Sequence, residues 1–267
     1  MDKESEIFGI RLRGKPGWGE NMALPSAAAN GFGARQFDIV CKPRFDSPEW
    51  KAALATCLNV MSQAGSSGAS SNGVNETLAS FQPGECGMWI DATVAAPSAP
   101  NPKDGAVADK LGFAQAPDNG LGKRGAWLRA WSPAVPASTE QADAAPKFIA
   151  RATPEDCTTL VAKRKGWANV PPGTRASRYE NQTYLDAAPF AETILASVQA
   201  ADPQNPTVDR APCAGVRFVA IPEFQGSGAA VEQMFSAALA GSMTGDEALA
   251  TAQAPSTHEM RKGGCID

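Results

Sequence analysis

Three carboxylates, Glu20, Asp91 and Glu223, and a scatter of tryptophans carry what chemistry this sequence offers. Two carboxylates facing each other across a cleft can cleave a glycosidic bond, and such pairs need no fixed spacing in sequence, so a paired-carboxylate hydrolase is one reading. The other catalytic signatures are missing. There is no H-E-x-x-H, G-x-S-x-G, Walker-type G-x-x-x-x-G-K-[ST] or G-x-G-x-x-G. The single histidine, His258, lies in a polar C-terminal segment, which removes most Ser-His-Asp and Cys-His arrangements. The cysteines, Cys41, Cys57, Cys86, Cys157, Cys213 and Cys265, stand far apart without a C-x-x-C pair, so no metal site or cofactor is expected and buried free thiols are the plain reading.

The tryptophans suggest binding without chemistry. A sugar or polyol presents apolar C–H faces and a fringe of hydroxyls, and its site combines flat aromatics with Asp, Glu, Asn or Arg. Trp18 comes with Glu20 and Asn21, Trp89 with Asp91 and Thr93, and Trp127 and Trp131 with Arg129. Taken singly, each tryptophan is more often a packing residue than a ligand contact. Trp50, on a helix face, is expected in the core.

The elements that must position these residues follow from periodicity and punctuation. Ile7 to Leu12 reads as a short strand, and Gly14 to Gly19 as a loop with Trp18 at its tip. Ser47 caps a helix with Pro48 in its first turn, and Trp50, Ala53, Leu54, Cys57, Leu58 and Met61 share its core face before Gly65. A Ser/Gly linker leads to a helix from about Asn75 to Phe81. Cys86 to Ile90 is a buried strand ending at Asp91. Pro97 to Gly125 wanders over the surface, with a helical turn and a strand within Val107 to Phe113. Trp127, Arg129 and Trp131 share a face if extended. Ser138 caps a helix to about Ala152, in conflict with Pro146 inside it. Thr153 opens a helix to Gly166, and another begins near Asp186 with Pro189 in its first turn. Val216 to Ile221 reads as a strand. A helix with Val231, Met234, Phe235, Ala238 and Leu239 on one face stops at Gly241, and Thr244 opens a last helix that contains Pro255. Short strands among longer helices make an α/β layered protein of one or two domains.

Charge narrows the partners. The net charge is -4 with pI near 5.2, and no basic run exceeds Lys163-Arg164-Lys165, so nucleic acid is not expected. No stretch approaches the roughly 20 apolar residues that cross a bilayer, so no membrane insertion is expected. Met1 to Glu6 is charged where a signal peptide needs an apolar run, so the chain as written would stay cytoplasmic.

Five motifs in order carry a resemblance: Gly9-Ile-Arg-Leu-Arg-Gly-Lys-Pro-Gly-Trp-Gly-Glu-Asn-Met22, Gly68-Ala-Ser-Ser-Asn-Gly-Val-Asn-Glu76, Gly87-Met-Trp-Ile-Asp-Ala-Thr-Val-Ala-Ala96, Gly166-Trp-Ala-Asn-Val-Pro-Pro-Gly-Thr-Arg175 and Phe218-Val-Ala-Ile-Pro-Glu-Phe-Gln-Gly226. Together, from about Glu6 to Asp267, the chain resembles the sorbitol/mannitol-binding proteins of bacterial ABC importers, in the extracellular solute-binding family 1 that includes maltose-binding protein. The resemblance implies a type II periplasmic-binding-protein fold of two α/β lobes, holding the C-terminal lobe and part of the N-terminal lobe. Residues 7-125 and 207-267 would form the C-terminal lobe, 135-199 would pack on the N-terminal lobe, and 126-134 and 200-206 would cross between them. It also implies that the chain begins partway through the family pattern, lacking the signal peptide and most of the N-terminal lobe.

In function it implies a periplasmic receptor that closes over a sugar alcohol and hands it to ABC permease subunits. Carried over motif by motif, the ligand contacts would be Trp18, Glu20, Asn21, Asp91, Thr93, Trp127, Arg129, Trp131, and Glu223 or Phe224. The chain departs from the family in having Arg129 where a tryptophan is expected, cysteines at positions usually aromatic, and Pro133, Pro146 and Pro255. A truncated or decayed copy is therefore a further reading beside binder and hydrolase.

Overall fold

In the computed structural model the described residues are 7–17, 20–100, 107, 110–122, 133–153, 155–173, 175–202, 205–206 and 221–267. Strand β1 (Phe8–Arg11) is followed by helices α1 (Ala23–Gly31), α2 (Pro48–Ala64) and α3 (Val74–Phe81), and then by strand β2 (Cys86–Trp89). The two strands pair in parallel, Phe8 opposite Cys86, Ile10 opposite Met88 and Arg11 opposite Trp89. Parallel pairing needs a crossover, which the three helices supply. The rest of the described chain is helical: α4 (Ala144–Ala152), α5 (Glu155–Lys165), α6 (Gln182–Ala187), α7 (Ala191–Ala200), α8 (Phe224–Leu239) and α9 (Gly245–Lys262).

The strongest local signals become the best-anchored elements. Ser47 accepts a hydrogen bond from the Trp50 N–H at 3.3 Å, Pro48 opens α2, and the helix buries Trp50, Ala53, Leu54 and Met61. Thr244 and Glu247 form a reciprocal capping box at α9: the Thr244 hydroxyl accepts from the Glu247 N–H at 3.2 Å, and the Glu247 carboxylate accepts from the Thr244 N–H at 2.7 Å. One core joins α1, α2, α8 and α9 around Trp50, which is 1% exposed, lies 5.1 Å from Phe45 and 5.8 Å from Phe235, and donates its indole N–H to the Arg35 carbonyl. Ile10, Leu12, Leu24 and Met61 extend this packing beneath β1. A second cluster holds Val170, Tyr179, Tyr184, Phe190 and Ile194 from the α5 to α7 region, with Ala96 and Phe113 against it.

Several elements depart from the sequence reading. α1 has no side-chain cap and no acidic first turn, so only its run of buried alanines marks it. α4 starts at Ala144 rather than Ser138, which moves Pro146 into the first turn, where its missing N–H has no helical acceptor to lose. Asp186 lies inside α6, and α7 begins only at Ala191, so Pro189 separates two helices instead of opening one. Among the described residues of Val107 to Phe113 there is a turn, with the Lys110 N–H on the Val107 carbonyl, but no strand. Of Val216 to Ile221 only Ile221 is described, in a bend. The five described cysteines are free, yet only Cys86 is buried; Cys265 is exposed and the other three are intermediate. His258 lies exposed on α9. No helix among the described residues is long and apolar enough to cross a membrane.

Candidate functional site

In open α/β sheets ligands bind in the crevice beyond the carboxyl ends of the strands, which directs attention to the residues just after Arg11 and Trp89. Because Arg11 pairs with Trp89, two further residues along each chain bring Arg13 opposite Asp91. There the Arg13 guanidinium grips the Asp91 carboxylate as a fork, Nε on Oδ2 at 2.8 Å and Nη2 on Oδ1. Asp91 Oδ1 also accepts from the Ala92 N–H at 2.7 Å. Both side chains are nearly withdrawn from solvent, 8% exposed for Arg13 and 3% for Asp91. A forked, buried pair of this kind fixes geometry in a way that an exposed one does not.

The loop after β1 carries the rest of the cluster. Gly14 and Lys15 both donate their N–H groups to the Asn72 carbonyl, at 2.9 and 3.1 Å. A Cβ on Gly14 would run into the Ala69 carbonyl, so the close approach requires glycine. Glu20 sits over Arg13, Oε2 lying 3.8 Å from Nη1, and accepts from the Val74 N–H at 3.3 Å. Lys15 pairs with Glu76 at 3.7 Å. Hydrogen bonds from its own N–H and that of Gly73 hold the Glu76 carboxyl below its ordinary pKa, with Lys15 adding to the effect.

The site residues expected from sequence fall into three groups. Glu20 and Asp91 are brought together through Arg13, and Thr93 follows closely as the first residue of a 3-10 turn, Thr93–Ser98. Asn21 is fully buried, and its amide donates to the Gly14 carbonyl at 3.2 Å and the Glu232 carbonyl at 2.9 Å, so it ties the loop to α8. Phe224 packs in the α8–α9 core at 7% exposure, and Glu223, before it, leans on Gly263 at the end of α9. Trp18, Trp127, Arg129 and Trp131 lie outside the described residues.

Two residues in this region were missed by sequence reasoning. Arg13 is the hub of the cluster, and Glu232 is a buried carboxylate on α8 that accepts from the Gly17 N–H at 3.2 Å, anchoring the loop after β1 at Gly17. Arg13 and Asp91 stand 78 residues apart, so only knowledge of the strand pairing joins them. Glu232 carries one signal, a charge beside Val231 on the apolar face of its helix.

A polar cluster at the carboxyl ends of two parallel strands lies where open α/β folds hold their ligands. The chain matches the family of bacterial extracellular solute-binding proteins over residues 2–153 and belongs to it. It is 49% identical over 257 residues to a mannitol-binding protein of Pseudomonas aeruginosa, covering 96% of this chain and 59% of that relative. The crystal structure of an ABC transporter solute-binding protein from Agrobacterium vitis with bound D-mannitol superposes with a TM-score of 0.96 at 59% identity, covering 99% of this chain and 63% of the other. A solute-binding protein from Agrobacterium radiobacter in complex with ribitol shares the fold at a TM-score of 0.75 and 19% identity, covering 97% of this chain and 61% of the other. The maltose-bound MalE3 of T. maritima does so at 0.75 and 20%, covering 96% and 61%. The fold is thus that of the type II periplasmic binding proteins, and the chain spans about three fifths of the length of the relatives it matches. The family and these relatives bind solutes and are not enzymes, which sets the paired-carboxylate hydrolase aside.

Proposed function

We propose that this chain is part of the substrate-binding component of an ABC importer for sugar alcohols, mannitol or sorbitol in kind. It would bind its solute at the carboxyl ends of β1 and β2, outside the cytoplasmic membrane, and deliver it to the permease subunits. The observation that carries the reading is the buried Arg13–Asp91 fork with Glu20 over it, in a chain 49% and 59% identical to two mannitol binders. Charged hydrogen-bonding groups held rigid at a strand end match a ligand made of hydroxyls. The tryptophans Trp18, Trp127 and Trp131 supply stacking faces, with Arg129 and Thr93 adding hydrogen bonds at the rim.

Within this reading residues 7-125 and 207-267 belong to the C-terminal lobe, 135-199 pack on the N-terminal lobe, and 126-134 and 200-206 link the two. The packing supports the division: the core of α1, α2, α8 and α9 and the cluster of α5 to α7 are separate, although Ala96 and Phe113 lean on the second. α4 buries none of its residues and leaves Phe148 72% exposed, as a helix made to be covered would.

Titrating the chain with D-mannitol and D-sorbitol, followed by tryptophan fluorescence and calorimetry, tests the proposal. A saturable change with the polyol recovered unchanged is expected, and maltose should give none. A flat response to both hexitols up to millimolar concentration would remove it.

A further inference from the structure

Asp91, Arg13 and Glu20 form a chain whose members differ in how far they reach toward solvent: their side chains are 3%, 8% and 28% exposed, in that order. Asp91 has both oxygens engaged, Oδ1 by Arg13 and the Ala92 N–H and Oδ2 by Arg13, and almost no surface left to offer. Arg13 spends its fork on Asp91 and turns Nη1 toward Glu20. Glu20 is held through one oxygen only. Its Oε2 takes both the Arg13 contact at 3.8 Å and the Val74 N–H at 3.3 Å, while Oε1 accepts no hydrogen bond among the described residues.

Building on the polyol reading above, we infer that Glu20 is the residue of this cluster that touches the solute, accepting hydroxyl protons on Oε1, and that Arg13 and Asp91 are positioning residues acting through it. The Asp91 fork fixes the plane of the guanidinium, the guanidinium and the Val74 N–H together hold one Glu20 oxygen, and the other has no hydrogen bond among the described residues on a side chain 28% exposed. An ionised acceptor selects ligands that donate, the hydroxyls of a neutral polyol, over ligands that bring their own negative charge, such as an aldonic acid.

A double-mutant cycle on the whole chain tests this, with D-mannitol and its aldonic acid, D-mannonate, as probes and far-UV circular dichroism as the check on folding. Glu20→Gln replaces a charged acceptor by a neutral one and should weaken mannitol binding about tenfold. Arg13→Lys keeps the charge but loses the fork and should cost a similar factor alone, yet almost nothing further in the Glu20→Gln background. Asp91→Asn should follow the same pattern, which keeps the inference open to refutation if Arg13→Lys fails to fold. Wild type should discriminate against mannonate, and Glu20→Gln should narrow that gap. Independent, multiplying losses or an unchanged mannonate discrimination in Glu20→Gln would overturn the inference while leaving the polyol reading intact. A wild-type chain that binds no hexitol would overturn both.

Discussion

Replacing Arg13 by Met removes one half of an ion pair whose other half, Asp91, cannot reach solvent. With side chains 8% and 3% exposed, the pair lies in the regime where breaking it strands a charge, and the cost is about 3 to 5 kcal/mol. Were it a surface bridge the figure would be about 0.2 to 1 kcal/mol. Exposure decides between them, and the molecule supplies its own control: Lys51 and Asp246 pair at 3.5 Å with side chains 51% and 74% exposed. The Ala92 N–H still reaches Asp91 in the variant, so the lower part of the range, about 3 kcal/mol, is the better expectation. In urea, with a slope of about 3 kcal/mol per M for a chain of this size, that moves the unfolding midpoint by about 1 M. Arg13→Met combined with Asp91→Leu should recover part of the loss, because the stranded Asp91 charge goes with its partner while Glu20, 28% exposed, keeps its contact with water. Equilibrium denaturation followed by circular dichroism reads all four proteins. An Arg13→Met shift no larger than that of Lys51→Met would refute the reasoning, since the pair would then behave as an exposed one.

Two further outcomes follow from the packing. Pro255 sits inside α9, where no N–H is available for the Thr251 carbonyl, so Pro255→Ala should stabilise the chain by about 2 kcal/mol, the helical gain less the entropy that proline removes from the unfolded state. A thermal midpoint that falls or stays put in this variant would show that α9 is not continuous through that position. Burial raises the Cys86 thiol to about 11, and burial followed by Tyr179 raises the Tyr184 phenol to about 12. Both groups keep their protons in the folded state after the unfolded chain has begun to lose them. Their contribution is complete below about pH 9 and disappears as the pH rises toward 12, up to about 2 to 3 kcal/mol for each. The urea midpoint should therefore fall between pH 9 and 11, less steeply in Cys86→Ala, and a midpoint flat across that range would contradict the assigned burial.

What the sequence made legible was local. The Ser47-Pro48 start and the Thr244 box are complete within a few residues, and α2 and α9 form where they indicate. Pro146 misled because a proline is compatible with the first turn of a helix and not with its interior, and the helix start that distinguishes the two has no strong cap here. α1 was invisible for a related reason: eight of its nine residues are buried, so no polar face alternates with an apolar one. The candidate site was legible as residue types and not as roles. Glu20 and Asp91 stand out as acids, but nothing near either in sequence says that Arg13 joins them.

Asn21 and Phe224 show why roles resist a linear reading. A polar residue after a tryptophan suits a polyol site, yet the Asn21 NH2 donates to two backbone carbonyls, one of them Glu232 on α8. An aromatic after Ile221-Pro222-Glu223 suits stacking, yet Phe224 faces the α8–α9 core. In both cases a partner that holds the side chain comes from an element remote in sequence, which no linear pattern announces. The same logic ranks the acids. A carboxylate already neutralised by a fork and a backbone N–H has little left to gain from a neutral hydroxyl, whereas one with an oxygen still to be paired gains a charged hydrogen bond worth roughly 1.5 to 3 kcal/mol. On the proposed reading Glu20, the least buried of the cluster, is the acid that meets the solute, and the deep pair beneath it sets where it stands.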